Sequence, residues 1–161
     1  MKKIAVIGAG SWGTALATVL AGKGHEVRIT DINMEHLKLM EEHRENVNYL
    51  PGVKLNENIH IVGSGAEALE DADYALFSAP AQHFRSAIEA AIPYMKKDLI
   101  VINVAKGIEQ KTLLRMSEIA SDYLDMDKYV VLSGPSHAEE VGRCMPTTVA
   151  VARSEEHTSE L

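Results

Sequence analysis

Short apolar runs rich in valine and isoleucine alternate along this chain with stretches that have helical spacing. The runs lie at residues 4–7, 26–30, 58–62, 74–78, 99–104, 129–133 and 147–152. Near-continuous apolar character, as in Leu99-Ile100-Val101-Ile102, is typical of parallel strands that are covered on both faces. We therefore predict seven β-strands.

Two longer segments between these runs, residues 14–21 and 112–124, show apolar side chains at intervals of three and four positions. The first segment has Ala15, Leu16, Val19 and Leu20 on one side, and the second has Leu113, Met116, Ile119, Ala120 and then Tyr123. Alternation of strands with helices predicts an α/β fold: a doubly wound, mostly parallel sheet with right-handed crossovers.

Composition narrows the class of protein and of partner. The chain has 161 residues, of which 46% are hydrophobic and 24% charged, and this fits one globular domain better than two. Its net charge of -7 argues against a nucleic-acid surface or an anionic membrane surface, although a small basic pocket could still bind phosphate. The expected partners are small molecules.

The chain shows no sequence sign of export or of a metal centre. Cys144 is the single cysteine, which excludes an intramolecular disulfide and a cysteine-rich metal site and fits a reducing cytoplasm. The basic and apolar start is too short for a signal peptide because glycines interrupt it, and no run of about 18 apolar residues follows. We expect a cytoplasmic protein without a targeting segment, membrane insertion or bound metal.

The last nine residues, 153–161, are polar and lack apolar periodicity. They resemble the in-frame translation of a common sequencing adapter, and a solvated native tail is the alternative. We therefore expect one domain over residues 1–152, followed by a non-native tail in a truncated gene product.

A glycine motif lies between the first predicted strand and the first predicted helix, and it reads Gly8-Ala9-Gly10-Ser11-Trp12-Gly13. Gly8 permits a tight turn, Gly10 lets the backbone approach a pyrophosphate, and Gly13 lets the helix pack close to the strand. The helix N-terminus offers unpaired N–H groups to that anion, and Ser11 and Trp12 would meet the dinucleotide through their backbones. This context predicts a Rossmann-type dinucleotide-binding domain, with an ordinary glycine turn as the alternative.

Asp31 stands at the end of the second predicted strand, eighteen positions after Gly13. An acidic residue about twenty positions beyond such a motif binds the ribose 2′-hydroxyl of NAD, and its charge would repel the 2′-phosphate of NADP. No arginine follows at once, since the next residues are Ile32 and Asn33. We predict NAD or NADP as cofactor, with NAD favoured; a solvated strand-end aspartate is the alternative.

Three further stretches carry a more specific pattern. The glycine motif continues into Thr14-Ala15-Leu16, and after it come Asn48-Tyr49-Leu50-Pro51-Gly52-Val53, Ala105-Lys106-Gly107-Ile108-Glu109 and Leu132-Ser133-Gly134-Pro135-Ser136-His137-Ala138-Glu139-Glu140-Val141. In order and spacing they resemble the N-terminal domain of NAD(P)-dependent glycerol-3-phosphate dehydrogenase, over residues 1–152. The resemblance implies reversible hydride transfer between the nicotinamide and carbon 2 of the sn-glycerol 3-phosphate/dihydroxyacetone phosphate pair, for glycerophospholipid synthesis. It leaves open a homodimer of the full-length protein.

These stretches supply candidate site residues. Lys106 follows a buried strand, so its ammonium should emerge at the carboxyl edge of the sheet, where it can polarise a carbonyl oxygen or meet a phosphate. By resemblance it lies beside cofactor and substrate, Gly134 and Ser136 contact the substrate, and Ala138 approaches the nicotinamide. The turn before that helix is also a plausible anion site. A solvated Lys106 and a Ser136 that only caps the helix are the alternatives.

The loop after the fourth predicted strand, residues 79–84, is a further candidate for the nicotinamide pocket and adds His83 to the cofactor-binding residues. None of the seven histidines is predicted to be catalytic, because no His-Asp-Ser grouping and no metal-ligand spacing occurs.

Two departures from the family pattern limit what this chain should do. Bacterial members commonly carry an arginine near the end of the second strand, where this chain has Asp31-Ile32. The family's C-terminal helical domain, with the lysine that acts as principal proton donor and acceptor, lies beyond residue 152. We expect weak dinucleotide binding and essentially no turnover from this polypeptide.

Two other functions stay open on the sequence. Another Rossmann two-domain dehydrogenase, of the 6-phosphogluconate or 2-hydroxyacid type, would share the glycine motif but not the stretches around Lys106 and Ser136. A dinucleotide-sensing module would bind NADH without turnover on any polyol phosphate.

Overall fold

A computed structural model describes residues 1–153 and contains a seven-stranded sheet. The strands are β1 (Lys3–Ile7), β2 (Glu26–Thr30), β3 (Ile59–Ile61), β4 (Tyr74–Phe77), β5 (Ile100–Asn103), β6 (Tyr129–Ser133) and β7 (Ala150–Arg153). Their order is β3-β2-β1-β4-β5-β6-β7, and β7 is antiparallel to β6 while the other neighbours are parallel. The predicted doubly wound, mostly parallel sheet is therefore confirmed.

Helices cover both faces of this sheet. They are α1 (Ser11–Gly22), α2 (Met34–His43), α3 (Gly65–Leu69), α4 (Ala81–Ala91), α5 (Met116–Ser121) and α6 (Ala138–Gly142). Alternate residues of β1 serve opposite faces, since Ala5 packs with α3, α4 and α5, whereas Ile4 and Val6 pack with α1 and α2. Within residues 1–153, no helix combines the length and apolar character needed to cross a bilayer.

The predicted strands 26–30 and 129–133 have the observed bounds, and four others differ from them by one residue at one or both ends. The last strand is shifted: it was predicted at 147–152 and lies at Ala150–Arg153. Arg153, which was predicted as the first residue of the tail, therefore pairs with Val130 in the sheet. The rest of the predicted non-native tail, residues 154–161, lies outside the described residues.

The predicted helix over residues 112–124 is wrong at both ends, because α5 covers only Met116–Ser121. Its first residues instead form a turn: the N–H of Leu113 donates to the carbonyl of Glu109 at 2.8 Å, and the backbone of Leu113 is left-handed with φ of 59°. The side chain of Leu113 is 71% exposed, while Met116, Ile119 and Ala120 are buried as the spacing predicts. Apolar periodicity cannot distinguish a helical turn from a loop that begins with the same residue types.

Candidate functional site

The strand order reverses between β1 and β4, because β2 and β3 follow on one side of β1 and β5, β6 and β7 follow on the other side of β4. In open α/β sheets, ligands bind outside the carboxyl ends of the strands at such a switch point. The glycine motif follows β1 at this edge, and the backbone N–H of Gly8 donates to the carbonyl of Thr30 at 2.9 Å. The predicted dinucleotide motif is therefore in the expected place.

Close packing accounts for two of the three glycines in the motif. A Cβ on Gly13 would lie 2.1 Å from the carbonyl oxygen of Gly8 and 2.3 Å from Oγ of Ser78. A Cβ on Gly8 would lie 2.8 Å from the backbone nitrogen of Ala79, and its φ of 108° disfavours any other residue. Gly10 differs, because a Cβ there would meet nothing within 4 Å. Gly8 and Gly13 shape the turn, whereas Gly10 keeps space open in front of it.

The helix that opens at this turn begins earlier than predicted, at Ser11 instead of residue 14. Its N-cap is Gly10, and among residues 1–153 no side chain caps it. Amides in a first helical turn have no intrahelical acceptor, so uncapped ones are free for an anion. The turn therefore has the open space and the donors that a pyrophosphate needs.

Asp31 lies just after β2 and is bonded to the glycine turn. Its Oδ2 accepts the backbone N–H of Ala9 at 2.8 Å, and its Oδ1 accepts the N–H of Asn33 at 3.0 Å. Asp31 is thus more than the solvated strand-end aspartate of the alternative interpretation. Ile32, the next residue, is 92% exposed at the same edge.

Lys106 lies after β5 and contacts two of the predicted substrate residues. Its Nζ donates to the carbonyl of Gly134, the carbonyl of Ser136 and Oγ of Ser136, each at 3.2 Å. The same ammonium lies 5.3 Å from the centroid of the Trp12 ring, within range of a cation–π interaction. The structure therefore brings Lys106, Gly134 and Ser136 together beside Trp12 of the glycine motif.

The remaining predicted residues are less engaged with this cluster. Ala138 begins α6 and is buried against α1, whereas His83 is exposed in the first turn of α4. The alternative that Ser136 caps the helix is wrong, because the N-cap is His137 and Oγ of Ser136 contacts Lys106. A five-residue helix has little dipole, so α6 adds less to an anion site than its sequence suggested.

A partly buried ion pair holds the loop that carries Lys106. Arg85 of α4 donates from Nε and Nη2 to the two carboxylate oxygens of Glu109, at 2.9 and 3.0 Å. Gln82 also bonds this loop, donating to the carbonyl of Ile108 and accepting from the N–H of Gln110. The hydrogen bonds from Arg85, and then from Thr112, lower the pKa of Glu109 from 4.5 to about 2, against the opposing effect of burial. Glu109 is therefore ionised at neutral pH.

We expect a Glu109→Gln variant to be less stable than the wild type at neutral pH and to approach it in acid. Since the pKa of Glu109 is depressed on folding, its stabilising effect is complete above about pH 4.5 and is lost as the pH falls toward about 2. Thermal unfolding from about pH 6 to about pH 2 measures the difference. Glu57→Gln, which removes an exposed carboxylate, is the matched control. A wild-type advantage over Glu109→Gln that stays constant across this range would contradict the assignment.

Several residues at this site were not predicted from the sequence. Ser78 follows β4 and donates through Oγ to the carbonyl of Gly8 at 2.6 Å. His36, Asn46 and Thr14 form a buried polar cluster behind the turn. Single polar residues in loops and on helices give no periodic signal in the sequence. The glycine motif predicted the turn that these residues contact, but not the residues themselves.

Known proteins match almost the whole chain. Residues 3–159 match the family model described as the N-terminus of NAD-dependent glycerol-3-phosphate dehydrogenase. The chain belongs to this family. The predicted resemblance and the predicted cofactor class, NAD(P), are thereby confirmed.

Individual members of the family are longer than this chain. The glycerol-3-phosphate dehydrogenase [NAD(P)+] of Desulfitobacterium hafniense (strain Y51) is 45% identical over 160 residues, which cover 99% of this chain and 45% of the relative. That of Bacillus velezensis is 46% identical over 152 residues, covering 92% and 44%. The crystal structure of glycerol-3-phosphate dehydrogenase from Coxiella burnetii has a TM-score of 0.88 at 32% identity, covering 96% of this chain and 47% of that chain. The chain thus spans somewhat less than half the length of these relatives.

Proposed function

We propose that this chain is the dinucleotide-binding half of a glycerol-3-phosphate dehydrogenase that interconverts sn-glycerol 3-phosphate and dihydroxyacetone phosphate. The observation that carries the proposal is the cluster of Lys106, Gly134 and Ser136 beside Trp12. It joins the family's substrate stretches to the glycine motif at one edge of the sheet. An ordinary dinucleotide domain needs the motif but not this cluster.

Each part of the site has a distinct role in this proposal. The uncapped amides of α1 bind the pyrophosphate, and Asp31 favours NAD over NADP. Bound NAD(H) supplies or accepts the hydride. The ammonium of Lys106, held by the turn at Gly134 and Ser136, stabilises negative charge on the substrate oxygens. Ala138 and His83 are proposed on the nicotinamide side.

The location and assembly of the protein belong to the same proposal. The free, exposed thiol of Cys144 is compatible with a reducing cytoplasm. A homodimer of the full-length protein remains a prediction from the family resemblance.

The 161-residue chain should bind NADH without oxidising it. Titration of the polypeptide with NADH, followed by quenching of its single tryptophan, Trp12, measures binding. Addition of dihydroxyacetone phosphate should produce no loss of NADH absorbance, because the residue that donates the proton is proposed to lie in the other half of the protein. A robust substrate-dependent rate would overturn this division of roles.

The variant Gly10→Ala tests whether NADH binds at the glycine turn. Since a Cβ at Gly10 meets nothing within 4 Å, the variant should fold with an unchanged thermal midpoint. Its methyl group would stand in the space proposed for the pyrophosphate, and we expect NADH affinity to fall about ten-fold or more through lost amide contacts. NADH binding that Gly10→Ala leaves unchanged would place the dinucleotide elsewhere.

A further inference from the structure

Ala9 lies between Gly8 and Gly10, and both its backbone N–H and its carbonyl are bonded to side chains. Its N–H donates to Oδ2 of Asp31 at 2.8 Å. Its carbonyl accepts from Nδ2 of Asn46 at 2.9 Å and contacts Nε2 of His36 at 2.9 Å. Ala9 and Asn46 are 0% exposed and His36 is 3% exposed. The backbone of the turn is therefore bonded to side chains from outside the motif.

Asn46 uses its whole amide in this arrangement. Nδ2 also donates to Oγ1 of Thr14 in α1 at 2.8 Å, and Oδ1 accepts the backbone N–H of Tyr49 at 3.0 Å. A carbonyl oxygen can only accept, so the nitrogen of the amide must face Ala9. One buried side chain thus joins the glycine turn, the first turn of α1 and the loop that begins at residue 46.

His36 completes the contact from α2. Because Nε2 faces the carbonyl of Ala9, it must carry the hydrogen, and Nδ1 is left to accept from Nδ2 of Asn48 at 3.3 Å. The ring of Tyr49 meets the imidazole edge-on, with centroids 4.9 Å apart. Residues of the loop after Asn46 therefore set the orientation of His36.

The loop that begins at Asn46 also contacts α6, the helix that follows Gly134 and Ser136. Leu50 and Val53 pack with Ala15 of α1 and with Ala138 and Val141 of α6. The fit is close, because a Cβ on Gly142 of α6 would lie 3.0 Å from Cδ2 of Leu50. The segment 46–53 therefore connects the glycine turn with the element that begins just after Gly134 and Ser136.

We propose that Asn46 is a positioning residue for dinucleotide binding, and that with His36 it holds the carbonyl of Ala9 so that the amides around Gly10 stay aimed at the pyrophosphate. The proposal rests on the proposed function, since it assumes that this turn binds NAD(H). It gives a role to segment 46–53, which neither the cofactor motif nor the Lys106 cluster explains. A turn that carries a buried unsatisfied carbonyl would instead shift toward water or another donor.

The decisive variant is Asn46→Asp, which keeps the shape and an oxygen for the N–H of Tyr49 but turns an acceptor toward Ala9. We expect its NADH dissociation constant to rise about ten-fold or more, from loss of the buried donor. Hydrogen exchange at the amides of Ala9 and Gly10, measured without cofactor, should be faster than in the wild type. Leu99→Ala is the control. Leu99 is buried just before β5, at the amino ends of the parallel strands, whereas the glycine turn lies at their carboxyl ends. Its truncation therefore lowers stability without touching the turn.

A second pair of variants keeps the test decisive if Asn46→Asp does not fold. His36→Gln retains an N–H donor near Nε2 and should bind NADH within about three-fold of the wild type, whereas His36→Leu removes the donor and should bind about five-fold more weakly or worse. Exchange rates at Ala9 and NADH affinity that match the wild type in both Asn46→Asp and His36→Leu would overturn the proposal. Equal weakening by Leu99→Ala would also overturn it, since the effect would then follow stability alone. If the wild type itself fails to bind NADH, the proposed function fails. The hydrogen-exchange rates at Ala9 and Gly10 then still test whether Asn46 and His36 hold the carbonyl of Ala9.

Discussion

Gly13→Ala should be the most damaging small substitution in the glycine motif, lowering the free energy of unfolding by about 3 kcal/mol or more. The added methyl carbon would lie 2.1 Å from the carbonyl oxygen of Gly8, which is less than a van der Waals contact. Ser78, the other neighbour, can rotate its side chain, but the carbonyl of Gly8 cannot move freely because its residue is bonded to Thr30 and has positive φ. Relief requires α1 to move away from β1, so NADH binding should be lost as well.

Urea denaturation followed by Trp12 emission measures the stability, and NADH titration measures the binding. Gly22→Ala is a matched control in the same helix, since a Cβ there meets nothing within 4 Å. It should leave NADH binding intact and raise stability by up to about 1 kcal/mol, because alanine restricts the unfolded chain more than glycine does. A Gly13→Ala protein that is as stable as the wild type would show that the turn is less closely packed than the structure describes.

The strands were predictable because burial on both faces leaves a direct trace in the sequence. Parallel strands such as β1 and β4 need apolar residues at nearly every position, and their flanking polar residues mark the ends. β7 was placed less well because its four residues are all exposed, so no burial constrains their types. Its pairing with β6 is antiparallel, a feature that apolar runs do not encode.

Local spacing failed where polar contacts decide the conformation. Residues 112–115 fit a helical pattern, yet Glu109 engages Arg85 and Thr112 and thereby fixes a turn before α5. The ion pair joins residues 24 positions apart, which no local window detects. The prediction of Lys106 as a site residue was independent of that error, because it rested on the strand end and on the family resemblance.

The candidate site shows the same division between local and distant causes. Gly8, Gly13 and Asp31 were predictable because a short motif with known geometry contains or closely precedes them. The hydrogen bond from Asn46 to Ala9 joins residues 37 positions apart, and the contact of His36 with Ala9 joins residues 27 positions apart. Each therefore depends on the completed fold. None of the histidines was predicted to be catalytic, and His36 is a buried residue whose side chain contacts the carbonyl of Ala9 in the glycine turn.

Replacement of Asp31 by alanine should weaken NADH binding about ten-fold to a hundred-fold without converting the chain to NADPH. Conversion would be expected if the carboxylate served only to exclude the 2′-phosphate. In this chain Oδ2 also accepts the N–H of Ala9, so its removal releases the glycine turn that both cofactors would use. Competitive titrations of NADH and NADPH on the wild type and the variant measure both affinities. Tighter NADPH binding by Asp31→Ala would show that the carboxylate acts by repulsion alone.

A variant that keeps Asp31 should separate the effect of charge on the 2′-phosphate from the effect of the hydrogen bond between Asp31 and Ala9. Ile32 is 92% exposed directly beside Asp31, so Ile32→Arg adds a guanidinium without disturbing the core. A charge-assisted hydrogen bond to the 2′-phosphate should raise NADPH affinity about ten-fold, with NADH affinity and the thermal midpoint unchanged. Ile32→Gln, similar in reach but uncharged, is the matched control and should leave both affinities near the wild-type values. If Ile32→Arg gains nothing for NADPH, the adenosine ribose does not lie at this strand end, and the assignment of Asp31 to the 2′-hydroxyl is wrong even though its bond to Ala9 stands.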